Sequence, residues 1–488
     1  MEIRWHRVPW LVAGLTVAAL VGGGCSTSSQ SKKDDEPTSA KERRRERKGG
    51  SSDVDAVEQF EKAVSLYETS GDESLQQVVS HLKKALEEDP EFGKAWFNLG
   101  VAYEKLGKRE QARKAYESAA KHAPELGDSL VNLGMLALEN GSKKRAFKYF
   151  RRALKAESFN PAAQNNLSVK YRQQGDWEKA ISHARQALAG DSRFLPAYEN
   201  LARTYYARGQ YDVAKLVLLN ALKIDDERPD LHNILGLTEL AKKDVTAAIK
   251  QFEKTLKLES GHVPARMNLG AVMLNVRDFE RSAKQFRAVL DRQPDNTNAK
   301  LSLAVAERSM GNLDRARSLY DEILQDHPKH PLVHYNLAVL EHEHRAKNAS
   351  KGLGRGKAPS DPVEQMEWTI QNLKTAVDHY QKAKEYYRDF LEYAGEDEHT
   401  ELKKKARERI GRVEKLASSV QKQIPKLRKQ KERLKKQQKQ SGSSSDNAQG
   451  GSSSSQDAGG SQKKSGGASQ SAGPAEGEST SSSGGGQS

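Results

Sequence analysis

The chain repeats one arrangement of apolar and polar positions every 34 residues. The stretch "WFNLG" at 96–100 returns as "LVNLG" at 130–134, and related stretches begin at 164, 198, 232, 266, 300 and 334. From 93 to 330 the register holds through seven units without an insertion. Places 4, 7, 8 and 11 of a unit fall on one face of a first helix, and places 20, 24 and 27 on one face of a second. The usual Gly at place 15 predicts the reversal between the two helices.

Small residues at places 8 and 20 predict close contact between the paired helices. The first unit shows the pattern in Trp96, Leu99, Gly100, Tyr103, Gly107, Ala112, Tyr116, Ala119 and Pro124. One pair cannot bury its apolar faces alone, so we expect the units to stack into a solenoid. This phased pattern resembles the tetratricopeptide repeat (TPR) family. The resemblance implies an all-α fold in which helix pairs form a right-handed superhelix, followed here by long C-terminal helices.

Changes in pattern and composition divide the chain into seven segments. The eighth unit starts at Pro331 and is interrupted by a Gly/Lys-rich loop over 345–362, and Pro425 predicts a kink in the last helix. We expect the C-terminal helices to pack on each other or on the end of the array. The predicted segments are an export signal (1–24), a lipid-modified Cys with a disordered tether (25–52), a degenerate first unit (53–92), seven regular units (93–330), an interrupted eighth unit with a long helix (331–395), a basic helix with a heptad apolar seam typical of coiled coils (396–440) and a disordered Ser/Gly tail (441–488).

The positive charge of the chain is concentrated in one segment. The formal net charge is +14, and residues 401–440 alone hold sixteen Lys and Arg against four Glu. This segment is a candidate for binding an anionic envelope polymer such as lipopolysaccharide or cell wall, and the alternative is a solubilising helix face. Nucleic acid is disfavoured as a partner because no aromatic residues interleave with the cations to stack bases.

The N-terminus has the pattern of an export signal. Arg4 and Arg7 precede an apolar run over 8–21, small residues follow, and the only cysteine of the chain is Cys25. The segment resembles a bacterial lipoprotein signal, which implies lipidation of Cys25 and an outer-membrane anchor facing the periplasm. Gly22 stands where that family prefers Leu, so an ordinary cleaved signal and an uncleaved anchor remain alternatives.

Place 6 carries an unusual column of amides. It is occupied by Asn98, Asn132, Asn166, Asn200, Asn268 and Asn336, with breaks at Ile234 and Ser302. Place 6 is turned about 100° from the core place 7, which predicts that it faces an inner wall formed by the first helices. In TPR proteins with long superhelices such a column resembles a ladder that grips a peptide backbone, and the alternative is a plain consensus residue. Phe97 and Tyr335 at place 5 and Arg203 at place 9 flank the column and favour an extended, moderately apolar polypeptide as ligand.

Other candidate chemistry is weak. "GLGRGKA" at 352–358 lacks the first Gly and the Ser or Thr of a phosphate loop. His327, His330, His334, His342 and His344 permit a surface metal site, although a polar solenoid face is the simpler interpretation. No catalytic constellation can be placed, so we expect no enzymatic activity, no cofactor and no metal.

The sequence therefore predicts a protein-binding scaffold of the bacterial cell envelope. By resemblance, TPR lipoproteins serve in adventurous gliding motility, which the overall architecture favours. Alternatives are a pilotin or outer-membrane assembly factor for a pilus or secretion system, and a structural tether that binds cell wall or lipopolysaccharide through the basic helix.

Overall fold

A computed structural model describes residues 52–353 and 356–446. The predictions for the export signal, Cys25 and most of the Ser/Gly tail lie outside these residues. Every regular element within the described ranges is helical. The chain divides into two compact units: unit 1 is Met1–Leu340 with Glu385–Ala406, and unit 2 is Glu341–Lys384 with Arg407–Ser488.

Unit 1 contains the array of helix pairs that the 34-residue repeat predicts. Each first helix packs on its own second helix and on the second helix of the preceding pair. The pairs are α1 (Ser52–Ser70) and α2 (Leu75–Glu88), α3 (Gly93–Lys105) and α4 (Arg109–His122), α5 (Asp128–Glu139) and α6 (Lys143–Ala156), α7 (Pro161–Gln173) and α8 (Trp177–Gly190), α9 (Leu195–Ala207) and α10 (Tyr211–Leu222), α11 (Pro229–Ala241) and α12 (Val245–Leu258), α13 (Val263–Asn275) and α14 (Phe279–Leu290), and α15 (Thr297–Ser309) and α16 (Leu313–Asp326).

Helix contact within a pair depends on the glycine at place 8. A Cβ added to Gly100 would lie 2.5 Å from the ring of Tyr116, and one added to Gly236 would lie 2.6 Å from the ring of Phe252. Both rings are at place 24 and are buried. The small residue at place 8 is therefore required because the aromatic ring of the second helix occupies the space of its side chain.

The turn inside each pair uses one backbone conformation whether or not glycine is present. Place 15 has a positive φ in Gly107, Gly141, Gly175, Gly209 and Gly311, as the helix reversal predicts. Two units place other residues there, and Lys243 (φ 67°) and Arg277 (φ 64°) adopt the same left-handed conformation. The rest of the fold imposes this turn on side chains that disfavour it.

The mixed residue types at place 4 share a structural role. In six units the side chain at place 4 makes a polar contact with the carbonyl oxygen six residues earlier, in the loop between pairs. Trp96 Nε1, for example, donates to Pro90 O at 2.8 Å, and Tyr198 Oη donates to Ser192 O at 3.1 Å. The other four pairs are Gln164 with Ser158, His232 with Asp226, Arg266 with Ser260 and His334 with Pro328. Place 4 thus ties the first helix to its entry loop in these six units.

The repeat array of unit 1 ends with α17 (Pro331–Val339), which packs on part of a later helix, α19 (Pro362–Tyr393). The ring of Tyr335 meets those of Tyr387 and Phe390 edge-on, at centroid distances of 5.8 and 5.2 Å. His334 Nδ1 lies 3.3 Å from a carboxylate oxygen of Asp389.

The interrupted eighth unit differs from the prediction. The helical path continues from α17 through a π-helical turn (Leu340–Arg345) into α18 (Ala346–Ser350), so the first third of the predicted loop over 345–362 is helical. In unit 2 the buried carboxylate of Glu341 lies 2.6 Å from His379 Nδ1, and Arg345 lies 3.5 Å from it. The contact of Glu341 with His379 holds the extended helix against α19, and Arg345 approaches the same carboxylate from one turn later on the extended helix.

The last helix, α20 (Thr400–Asp446), is continuous through Pro425. Its helical path passes the predicted boundary at 440, so the first six residues assigned to the disordered tail, 441–446, are helical. Within unit 2, Lys431 pairs with Glu367 and Gln438 Nε2 donates to Asp361 at 2.9 Å, which joins α20 to α19. The two C-terminal helices therefore pack on each other.

Candidate functional site

The candidate site is the row of side chains at places 5, 6 and 9 of the first helices, which we call the amide wall. These places lie one turn or less from the core residue at place 7, so the same helices that build the array position the wall.

The asparagines in the N-terminal part of the amide wall are buried. Asn98, Asn132, Asn166 and Asn200 are only 0–2% exposed. Asn98, Asn132 and Asn166 all have interaction partners. The sequence predicts these four amides on the inner wall formed by the first helices, and the structure leaves almost none of their surface exposed. Their position beside a core leucine fixes their direction but not what covers them.

The flanking residues Phe97, Arg203 and Tyr335 are buried as well. Phe97 is 1% exposed and its ring centroid lies 5.8 Å from that of Tyr116. Arg203 is 7% exposed and forms an ion pair with Glu199, with 2.9 Å between its guanidinium and the carboxylate. Tyr335 is 9% exposed. The sequence predicts these three side chains as groove-lining residues, and in the structure Phe97 packs on Tyr116 while Arg203 pairs with Glu199.

A hydrogen bond between neighbouring units recurs on the wall. Asn200 Nδ2 donates to Asn165 Oδ1 at 2.8 Å, and Asn268 Nδ2 donates to Asn233 Oδ1 at 3.0 Å. In both cases the amide at place 6 meets the amide at place 5 of the preceding unit, 35 residues earlier. Asn165 and Asn233 were not predicted as site residues, although the spacing of 35 between polar residues at these two places is visible in the sequence. The amide column therefore also links the units.

A cationic side chain, Arg172, lies beside the amide of Asn200. Arg172 Nη2 is 3.5 Å from Asn200 Oδ1. Burial lowers the pKa of Arg172, the charge of Arg203 lowers it further, and the carboxylate of Glu199 opposes the shift. Arg172 is therefore influenced by both members of the Arg203–Glu199 ion pair.

The C-terminal part of the amide wall is more accessible. Asn268 and Asn336 are half-buried, and Asn336 Nδ2 donates to Leu332 O at 2.8 Å. Within residues 52–353 and 356–446, no group donates a hydrogen bond to the Oδ1 atom of either residue. Met267, Leu301 and Val305, at places 5 and 9 of α13 and α15, are half-buried, and Ala271 is exposed. Here amide oxygens and apolar side chains share a surface that solvent reaches.

The other candidate chemistry takes structural roles where the structure describes it. His334 is the place-4 side chain of the eighth unit, with Nε2 2.9 Å from Pro328 O. Among the described residues no group of three or more His, Cys, Asp and Glu side chains is placed to hold a metal ion. The same part of the chain has no helix long and apolar enough to cross a membrane. Most cations of the basic segment 401–440 are exposed on α20.

Comparison with known families gives the class of protein. Models described as "Tetratricopeptide repeat" match residues 81–114, 100–161, 131–193, 171–237, 272–331 and 306–348. The chain therefore belongs to the tetratricopeptide repeat family, and the repeats identify it as a protein-interaction scaffold. No curated protein matches the chain.

Solved structures with a similar fold include three TPR-like chains. Cut9, from the structure of an APC/C hetero-tetramer Cut9-Hcn1, is 23% identical with a TM-score of 0.40, and the match covers 45% of this chain and 42% of that chain. PilF of Pseudomonas aeruginosa is 23% identical with a TM-score of 0.39, over 42% of this chain and 93% of that chain. PilW, described as a widely conserved type IV pilus biogenesis factor, is 20% identical with a TM-score of 0.38, over 45% of this chain and 98% of that chain.

Proposed function

We propose that this chain is a non-enzymatic scaffold whose accessible amide wall, residues 263–339, holds an extended and moderately apolar segment of a partner polypeptide. The observation that carries the proposal is the contrast along the wall: it is closed around Asn98, Asn132, Asn166 and Asn200 and accessible around Asn268.

The chemistry of the accessible part suits a peptide backbone. The amide of Asn268 uses its N–H on Asn233, so its Oδ1 is available to accept from a backbone N–H of the ligand. Met267 and Leu301 present half-buried apolar surface on either side, which a ligand side chain would cover. An extended segment offers both features, because its N–H groups and alternate side chains point in different directions.

Position-dependent photo-crosslinking tests this proposal. A photoreactive residue at Ala271 or Val305 should capture the same partner protein, while one at Lys250, exposed on the second helix α12, should not. Equal capture from Lys250 would show that the wall is not the binding surface.

Single amide substitutions test the role of Asn268. Asn268→Ala should weaken binding of the captured partner about 2- to 10-fold, because one hydrogen bond contributes about 0.5–1.5 kcal/mol. Asn220→Ala, which removes an exposed amide from α10, is the matched control and should leave affinity unchanged. If instead a combined change of Asn98, Asn132, Asn166 and Asn200 to Ala abolishes binding at unchanged helicity while Asn268→Ala does not, the ligand uses the N-terminal wall and this proposal is wrong.

We further propose that the scaffold is exported and held at the outer membrane by a lipid on Cys25, facing the periplasm. The export-type sequence before the only cysteine supports this. Metabolic labelling with a radioactive fatty acid should mark the wild-type chain and not Cys25→Ser, and fractionation should move that variant out of the membrane. Labelling of Cys25→Ser would refute lipidation at this residue.

Three envelope machines fit such a scaffold. The adventurous gliding-motility apparatus is the one that the architecture of the chain favours, and a gene deletion should then stop single-cell movement while pili assemble normally. Loss of pilus secretin assembly instead would favour a pilotin or outer-membrane assembly factor. A tether to cell wall or lipopolysaccharide through the basic helix predicts that deleting 401–488 abolishes envelope binding while partner capture at Ala271 survives.

A further inference from the structure

The second helix of the second regular unit, α6, is unlike its counterparts. Among its 14 residues seven are Lys or Arg and none is acidic. All seven are exposed: Lys143, Lys144, Arg145, Lys148, Arg151, Arg152 and Lys155. The equivalent helices α4 and α16 mix both signs of charge, so the packing of a TPR pair does not require this composition.

Six of these cations form one stripe. At about 100° per residue, all but Lys143 fall within an arc of about 120°, and the stripe runs the full helix length of about 21 Å. It lies opposite the fully buried Ala146, Phe150 and Ala153, which face the core of the pair. The stripe therefore points away from the array along its whole length.

The described part of the chain does not neutralise the stripe. Within the described ranges of the chain none of the seven cations forms an ion pair with a carboxylate. Lys143, Lys144 and Arg145 also occupy the first turn of α6, where the helix dipole disfavours positive charge. The helix dipole and the mutual repulsion of the cations both disfavour this arrangement. Binding of an external anion would offset both effects.

Polar and aromatic groups accompany the cations. Lys144, Arg145, Lys148 and Arg152, with Ser142 and Tyr149, line a cleft of about 540 Å³. The Arg152 guanidinium lies 5.9 Å from the centre of the Tyr149 ring. Phe159, three residues beyond the end of α6, is 54% exposed.

We propose that the α6 stripe, with Phe159, docks on the phosphate headgroups of an anionic membrane surface. A long row of cations matches a two-dimensional array of headgroup charges, and an exposed aromatic ring that follows the basic helix closely in sequence can insert at a membrane interface. The apolar face of α6 is committed to the core, so the helix itself does not insert. Attachment is peripheral, electrostatic and sensitive to salt.

Vesicle co-sedimentation of the full chain tests this docking. Vesicles that contain phosphatidylglycerol should bind the protein, and pure phosphatidylcholine vesicles should not. Changing Lys144, Lys148 and Arg152 together to Gln should lower the affinity on the order of a hundredfold, since each cation near an anionic surface contributes about fivefold. Gln is a good helix former, so circular dichroism should show unchanged helicity.

A matched control removes the same charge from another basic helix. Lys422, Lys426 and Lys429 are exposed on α20, and their combined change to Gln should leave vesicle affinity within a few-fold of wild type. An equal loss in both variants would overturn the proposal, because the attraction would then follow net charge and not the stripe.

Two further measurements separate a membrane from an acidic protein. Phe159→Trp should gain fluorescence quenching by lipids with brominated acyl chains relative to the unchanged chain, and absence of added quenching would overturn the role of Phe159. Soluble poly-glutamate at equal charge concentration should displace little vesicle-bound protein. Tight binding to poly-glutamate without binding to anionic vesicles would identify an acidic polypeptide as the partner and refute membrane docking.

Discussion

The basic stripe of α6 should reduce the stability of the helix that carries it, and this can be measured. Lys148 is the centre of the repulsion: Lys144 and Arg152 lie four residues away on either side, and Arg145 and Arg151 lie three residues away. Replacing Lys148 by Gln removes four of the six close like-charge pairs of the stripe at once.

The expected gain follows from the number of pairs. Like charges three or four residues apart on an exposed helix cost about 0.2–0.5 kcal/mol each, so Lys148→Gln should stabilise α6 by about 1–2 kcal/mol at low ionic strength. Lys143→Gln is the matched control, because Ala146 and Phe147 occupy the positions three and four residues after Lys143. It removes the same charge from the same helix and relieves no close pair.

Hydrogen exchange is the appropriate assay, because a repeat array opens locally and its stability is not one global quantity. Amides of α6 should exchange about 5- to 30-fold more slowly in Lys148→Gln than in the unchanged chain, and at most about fivefold more slowly in Lys143→Gln, which relieves only the helix-dipole penalty. The difference should vanish in 1 M salt, where the Debye length is about 3 Å. Equal protection in the two variants, or a gain that persists in high salt, would refute mutual repulsion and with it the argument that the stripe is maintained for an external anion.

Three smaller predictions concern the array. Lys243→Gly should raise the local stability of the fifth unit by about 0.5–1 kcal/mol, because relief of the left-handed strain exceeds the entropy cost of glycine; unchanged urea unfolding would contradict this. Gly236→Ala should destabilise the same unit by about 1–3 kcal/mol, since the new methyl would overlap the buried ring of Phe252, and denaturation is the check. Burial raises the pKa of Asp128, so its ionised form is disfavoured in the folded state and stability should fall as the pH rises above about 4. Asp128→Asn should therefore increase the unfolding temperature at pH 7 and not at pH 3, and an equal shift at both values would refute this assignment.

The repeating features of the fold were predictable because packing repeats them. Small residues at place 8 and large apolar residues at place 24 are readable from the sequence, and the contact of Gly100 with Tyr116 explains them. Place 15 was predicted from glycine. The sequence did not predict that Lys243 and Arg277 would adopt the same backbone conformation, since local preference opposes it and only the surrounding helices impose it.

The role of place 4 was not predictable from hydropathy, because several residue types perform it. Place 4 carries Trp, Gln, Tyr, His and Arg, which share no hydropathy and no charge. Their common property is a side-chain nitrogen or hydroxyl that reaches the carbonyl oxygen six residues earlier, as in Trp96 and Tyr198. A hydropathy pattern does not record that property. Place 4 therefore looks variable in the sequence although these residues share a hydrogen-bond donor.

The candidate site shows what helical geometry predicts and what it does not. An angle of about 100° from a core position fixes the side of the helix on which an asparagine lies. It does not fix exposure, which depends on residues distant in sequence, and Asn98 and Asn268 occupy the same place with different burial. The bond from Asn200 to Asn165 shows that the column has a function within the array itself, in joining one unit to the next.

This second role changes what an amide column implies. If every place-6 asparagine were committed to its neighbouring unit, the column would be explained by assembly alone and would say nothing about a ligand. Asn268 satisfies that bond through its N–H and keeps its carbonyl oxygen for another donor, so one side chain can serve both roles. Binding at residues 263–339 would then act on the contact between units as well as on the ligand, because both use the same amide.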